Sequence, residues 1–133
     1  MDFDILAELS QPVEFQSGEK IYETDYTIGD PCAYLILDGD VRVIRKYTPL
    51  KMETFEYTQG DVFGMLEVYL GTARITDAVA RTGVRALGFS KVHFERAMVS
   101  DISFALQSIR VLSKMLRQIN GHIKELPYQG TGA

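Results

Sequence analysis

The chain has 133 residues, 46% hydrophobic and 24% charged, an ordinary globular composition at a length that suits one domain with its own core. Fourteen Lys and Arg against eighteen Asp and Glu leave a net charge of −4, the wrong sign for gripping a phosphate backbone through overall charge. The single cysteine, Cys32, excludes an intrachain disulfide and any CxxC site, and no apolar run reaches the ~18 residues of a membrane-spanning helix.

The start, Met1-Asp2-Phe3-Asp4, is acidic where a secretory signal would be basic, so the expected setting is the cytoplasm, away from membranes. Phe3 to Leu9 carries Ile5, Leu6 and Leu9 and predicts a short helix. Glycine followed by an acid then recurs at Gly18-Glu19, Gly29-Asp30, Gly39-Asp40 and Gly60-Asp61, each preceded at a fixed distance by an apolar residue (Phe15, Tyr26, Ile36, Tyr57). Such pairs suit tight turns, because glycine takes positive φ freely and aspartate bonds its own backbone. Apolar and β-branched segments lie between them at Ala33–Leu37, Val41–Arg45, Met52–Tyr57, Thr76–Ala80 and Val84–Phe89. The pattern predicts a mainly β fold with flanking helices, an antiparallel β-roll or jelly roll of about eight strands over residues 12–89. Asp38-Gly39-Asp40 marks its clearest hairpin.

After Phe89 the apolar period changes. Ser90 is placed to cap a helix carrying Val92, Phe94, Ala97 and Met98, and a second helix is predicted from Asp101 with Ser100 as its cap. The second helix carries Ile102, Ala105, Ile109, Leu112, Leu116, Ile119, Ile123 and Leu126, spaced 3,4,3,4,3,4,3. This is a heptad seam, and the residues from Ile102 to Ile119 are the candidate homodimer contact. Phe104, Leu106, Val111 and Met115 form a second apolar side that would face the roll. Asn120-Gly121 is a helix-stop signal within the seam. The expected organisation is one domain over 1–126, with helices in 90–126 and a tail in 127–133.

Catalytic signatures are few. GxGxxG, GxxxxGK[ST], GxSxG and HExxH do not occur, and both histidines, His93 and His122, lie in the helical part rather than on barrel strands where a metal-using β-barrel needs them. Cys32 has no candidate base near it in sequence. A non-enzyme without a required cofactor is expected.

The most informative stretch runs from Gly60 to Ala80. A glycine turn leads into a one-turn helix, then a loop holding a lone arginine, Arg74, then a strand. Helix N-terminal amides beside a guanidinium can hold a small anion. The order of elements, with Phe15-x-x-Gly18-Glu19-x-Ile21-Tyr22 and Ala33-Tyr-Leu-Ile-Leu-Asp-Gly39-Asp-Val-Arg-Val43, resembles the cyclic nucleotide-binding domain family over residues 10–126. That family comprises the regulatory modules of catabolite-activator-like transcription factors, cAMP-dependent kinase regulatory subunits and cyclic-nucleotide-gated channels. Its phosphate-binding cassette reads F-G-E-L-A, then R-x-A-[TS]; here the corresponding residues are Phe63, Gly64, Met65, Leu66 and Glu67, then Arg74, Ile75, Thr76 and Asp77.

The resemblance implies a regulatory module that binds cAMP, cGMP or another small anion at Arg74 and signals through the helix that follows. Two positions depart from it. Met65 stands where the family's glutamate accepts from the ribose 2′-hydroxyl, and losing a charged acceptor costs roughly 1.5–3 kcal/mol, about 10–150-fold in affinity. Asp77 stands where a small hydroxyl residue helps hold the phosphate, and would repel an anion or pair with Arg74. Glu67 could replace the missing acceptor only through a remodelled turn. The alternative expectation is a degenerate pocket on a fold used as a dimerising or partner-docking scaffold. DNA-binding relatives carry a helix-turn-helix after the long helix. The expectation is that this chain carries no DNA-binding domain of its own, and Lys114, Arg117 and Lys124 form no basic patch to replace one.

Overall fold

The computed structural model describes residues 1–25 and 31–125, with side chains up to Gly121. The expected turn at Gly29-Asp30, the side chains of His122 and Ile123, and the tail from Leu126 onward lie outside the described residues. A short helix α1 (Phe3–Glu8) precedes strands β1 (Gln11–Phe15), β2 (Lys20–Tyr22), β3 (Ala33–Asp38), β4 (Val41–Thr48), β5 (Lys51–Tyr57) and β6 (Val62–Phe63). Helix α2 (Met65–Leu70), strands β7 (Asp77–Ala80) and β8 (Val84–Phe89), and helices α3 (Lys91–Ser100) and α4 (Ile102–Glu125) follow. The eight strands form two four-stranded sheets, ordered β1-β8-β3-β6 and β2-β7-β4-β5, and each pairing is antiparallel. This is the β-roll with a short N-terminal and a long C-terminal helix that the sequence predicts.

The inward faces of the sheets supply the core: Leu35, Ile36, Val41, Val43, Val62, Phe63, Ala78, Ala80 and Val84 are buried. Strand β5 shows how the residues choose their faces. Glu53, Phe55 and Tyr57 turn inward while Met52, Thr54 and Glu56 face out, the period-two alternation of a sheet covered on one side. Strand β8 is different: Ala86, Leu87, Gly88 and Phe89 are all buried, because β1 and β3 flank it in the sheet and α3 packs over it. Between β3 and β4 the chain reverses at Gly39, whose φ of +106° and whose approach to the Gly83 carbonyl (2.3 Å from any added Cβ) admit no larger residue.

Ser90 caps α3, its hydroxyl accepting from the His93 amide. Ser100 does not cap α4. It lies inside the last turn of α3, and the extended residue between the helices is Asp101, whose carboxylate accepts from the Phe104 amide at 3.1 Å. Its other oxygen accepts from the Asp2 amide at 2.6 Å, tying the start of α1 to the α3–α4 corner. Phe104 fills that corner, 5.1 Å from the Phe89 ring and 5.6 Å from that of Phe94.

Helix α4 also runs through Asn120-Gly121 to Glu125 instead of stopping. An exposed glycine costs a helix roughly 1 kcal/mol, too little to end one already 18 residues long at Ile119. Phe104, Ser108 and Val111 are buried against the roll, while Leu112, Met115 and Ile119 pack on its margin. Leu106, which the sequence assigns to the inner side, instead lies outward at 55% exposure with Ile102 (76%), Ile109 (54%) and Leu116 (67%). The heptad seam is thus split: its Ile102, Ile109 and Leu116 positions face out, and Leu112 and Ile119 lean on the body of the chain.

Candidate functional site

The Gly60-Asp61 turn delivers β6, and the chain then turns through Gly64 into α2. Gly64 takes φ +74°, and a Cβ there would lie 3.0 Å from the Arg74 guanidinium, so this position requires glycine on both counts. Helix α2 ends on a second left-handed glycine, Gly71, at φ +69°. Its six residues divide by face: Met65, Glu67 and Val68 are buried, whereas Leu66, Tyr69 and Leu70 are exposed.

Arg74 points into the protein. Its side chain is only 2% exposed. Nη1 donates to the Gly64 carbonyl at 2.7 Å and approaches the Glu67 carboxylate at 3.4 Å, while Nη2 donates to the Cys32 carbonyl. The guanidinium carbon sits 3.8 Å from the centroid of the Tyr22 ring, a cation–π contact. Glu67, itself 5% exposed, accepts from the Ile75 amide through its other oxygen at 3.2 Å. A buried guanidinium is tolerable only when paired and hydrogen-bonded, and here two carbonyls, a carboxylate and an aromatic face satisfy it. Burial pushes the Tyr22 phenol above its ordinary range; Arg74 opposes that shift and Glu67 adds to it.

Beside Arg74 lies a cavity of about 50 Å³ lined by Tyr22, Phe55, Tyr57 and Met65 and closed by Leu112 and Met115 of α4. Phe63 forms its floor, stacked on Tyr34 at 5.2 Å and on Tyr57 at 6.1 Å. Pockets that take drug-sized ligands run to roughly 300–1,000 Å³, so this cavity as it stands is too small for a nucleotide.

Of the residues singled out from the sequence, the structure gathers Phe63, Gly64, Met65, Leu66, Glu67, Ile75 and Thr76 around this cavity, with Arg74 behind it. Asp77 stands apart, and the sequence expectation that it could engage Arg74 is corrected. Its carboxylate accepts from the Thr24 amide at 2.7 Å and meets the Lys46 ammonium at 3.4 Å. Burial acts to raise the Asp77 carboxyl, but the Thr24 donors and Lys46 outweigh it and hold the carboxyl below its ordinary value. Glu67, not Asp77, is the carboxylate on Arg74. Strand alternation explains the difference: the neighbouring Ala78 takes the inward position on β7, which turns Asp77 toward Lys46. The sequence reading missed the contributions of Tyr22, the Cys32 carbonyl, Leu112 and Met115. A main-chain acceptor leaves no trace in residue type, and the two α4 residues come from nearly forty positions beyond the cassette.

The roll, the cassette between β6 and β7 and the long helix after them place this chain in a known family. The cyclic nucleotide-binding domain profile matches residues 12–101, and the chain belongs to that family. Among solved structures it resembles the Catabolite Activator Protein of Thermus thermophilus, with a TM-score of 0.73 at 19% identity over 92% of this chain and 57% of that one. A CooA variant from Carboxydothermus hydrogenoformans aligns with a TM-score of 0.74 at 20% identity over 97% of this chain and 81% of that one. The regulatory subunit of a cAMP-independent protein kinase A from Trypanosoma cruzi, bound to guanosine, gives a TM-score of 0.62 at 29% identity over 74% of this chain and 35% of that one. The first two likenesses establish the fold, and this chain spans little more than half the length of the Thermus protein. No curated protein matches significantly in sequence. Among the described residues, no helix is long and apolar enough to cross a membrane, and no cluster of His, Cys, Asp and Glu is arranged to hold a metal ion.

Proposed function

We propose that this chain is a non-enzymatic regulatory module that senses a cyclic nucleotide or a related small ligand in the cavity beside Arg74 and reports its occupancy through α4. One observation carries the reading: a single cavity is lined both by the cassette and by Leu112 and Met115 of the long helix. A guest larger than about 50 Å³ therefore displaces α4 from the roll, and binding selects between two placements of the helix, as a ligand must if it is to switch anything. The guanosine carried by the Trypanosoma cruzi relative supports extending the ligand class from cAMP and cGMP to a nucleoside. The outward stripe of Ile102, Leu106, Ile109 and Leu116 suits a second copy of this chain, so displacement of α4 would be read as a change in a homodimer.

Calorimetric titration with cAMP, cGMP and guanosine tests the sensing role. Binding of one of them, weakened at least about tenfold by Met115→Trp, which fills the cavity, supports it. Absence of binding by all three at millimolar concentration overturns it. A second reading has its own support: Met65 packs into the cavity where a ligand-contacting acid is expected, which favours a lapsed pocket on a fold kept as a dimerising scaffold. Sedimentation of the native chain and of Ile109→Asp bears on that reading. A dimer converted to a monomer by the aspartate supports the α4 interface, and a native chain that sediments as a monomer removes it.

A further inference from the structure

The two groups best placed to hold an anion in the cassette, the Arg74 guanidinium and the Ile75 amide, are already shared by one carboxylate. Glu67 reaches Nη1 of Arg74 with one oxygen (3.4 Å) and the Ile75 nitrogen with the other (3.2 Å). We propose that Glu67 is a tethered anion that competes with the phosphate of any ligand for these donors, so that it sets the specificity of the site against phosphate-bearing guests. The proposal rests on the assignment of the ligand cavity to this loop.

Three features support it. Among the described residues, the remaining contacts on the guanidinium are carbonyls and a ring face, so the carboxylate that meets this almost completely buried cation there is Glu67. The pair is therefore neutral as a unit, and the long-range attraction that a free arginine offers an anion is cancelled at its source. Glu67 also lines the cavity directly, so a phosphate entering while the carboxylate stays in place meets a like charge at close range. A ligand with the same base and sugar but no phosphate incurs no such repulsion and needs neither donor.

The test compares cAMP with adenosine, which differ in the cyclic phosphate, on the native chain and on Glu67→Gln. The amide keeps the shape and removes the charge. The expected result is a gain of at least about tenfold in cAMP affinity, with adenosine affinity changed less than threefold. A uniform loss or gain for both ligands, the mark of a purely structural residue, overturns the proposal. Native binding of cAMP that the substitution leaves unchanged also overturns it, while the assignment of the cavity stands. Failure of both ligands to bind either protein overturns the proposal, while the assignment of the cavity is decided separately by cGMP and guanosine. If Glu67→Gln does not fold, Glu67→Met replaces it, since a thioether of similar length carries no charge and takes neither donor. The same cAMP-selective gain is then required, and its absence overturns the proposal.

Discussion

A buried arginine–carboxylate pair and an exposed cluster, both among the described residues, use the same groups in opposite surroundings. Arg74 and Glu67 meet in the interior, with side chains 2% and 5% exposed. Glu56, on the outer face of β5, bridges Arg42 at 2.6 Å and Arg81 at 3.3 Å, all three being 40–50% exposed. By distance alone the surface cluster is the tighter one. Burial reverses the ranking: water and salt attenuate the Glu56 contacts and leave the interior pair unscreened. The interior pair also cannot lose one member without stranding the other. A short distance at the surface therefore says less about stability than a longer one in the core.

The largest effect should come from stranding a charge. Arg74→Met leaves the Glu67 carboxylate buried without its counterion and is expected to cost about 3–5 kcal/mol of unfolding free energy in a denaturant titration. The double variant Arg74→Met, Glu67→Met removes both charges and should regain most of that loss, because the desolvation penalty disappears with the pair. A double variant no more stable than Arg74→Met would show that the pair contributes through its carbonyl and amide contacts and not through its charge.

A carboxylate held by main-chain donors lies between the two extremes. Asp101 is depressed below its ordinary value chiefly by the Asp2 amide, against the opposing effect of burial and with help from the Phe104 amide. Its folded pKa being the lower one, the unfolded chain binds the proton more readily. The stabilisation is complete above the unfolded value, near 3.9, and is lost as pH falls through the folded one. Asp101→Asn keeps an acceptor oxygen but makes it neutral, and so should remove about 1 kcal/mol at neutral pH and flatten the acid limb of stability against pH. An unchanged acid limb would place the titration elsewhere.

These cases also mark what the sequence can reveal. Strand β8 is predicted and observed over the same residues, Val84–Phe89, since glycine turns and β-branched residues act locally. The cassette's outline at Phe63-Gly64 and Arg74 is equally visible. What the sequence hides is direction. Whether Arg74 faces a ligand or the protein depends on Cys32, Tyr22 and Glu67 converging from three segments. The split of the α4 seam, with Ile109 outward and Leu112 inward, depends on where the roll touches the helix. Residue type states that a charge or an apolar stripe exists, and tertiary contact decides what it meets.

The smallest expected effect completes the comparison. Glu56→Gln keeps the length of the side chain and one acceptor oxygen, enough for one of the two arginines, but it ends both ion pairs. Exposed pairs contribute about 0.2–1 kcal/mol and are screened by salt, so the variant should lose less than about 1 kcal/mol at low ionic strength and nothing measurable at molar salt. Thermal unfolding of the two proteins at both salt concentrations reads this directly. A loss that persists undiminished at high salt would mean that the β4–β5 face relies on Glu56 by packing, and that exposure there does not screen the cluster as the contrast with Arg74 and Glu67 requires.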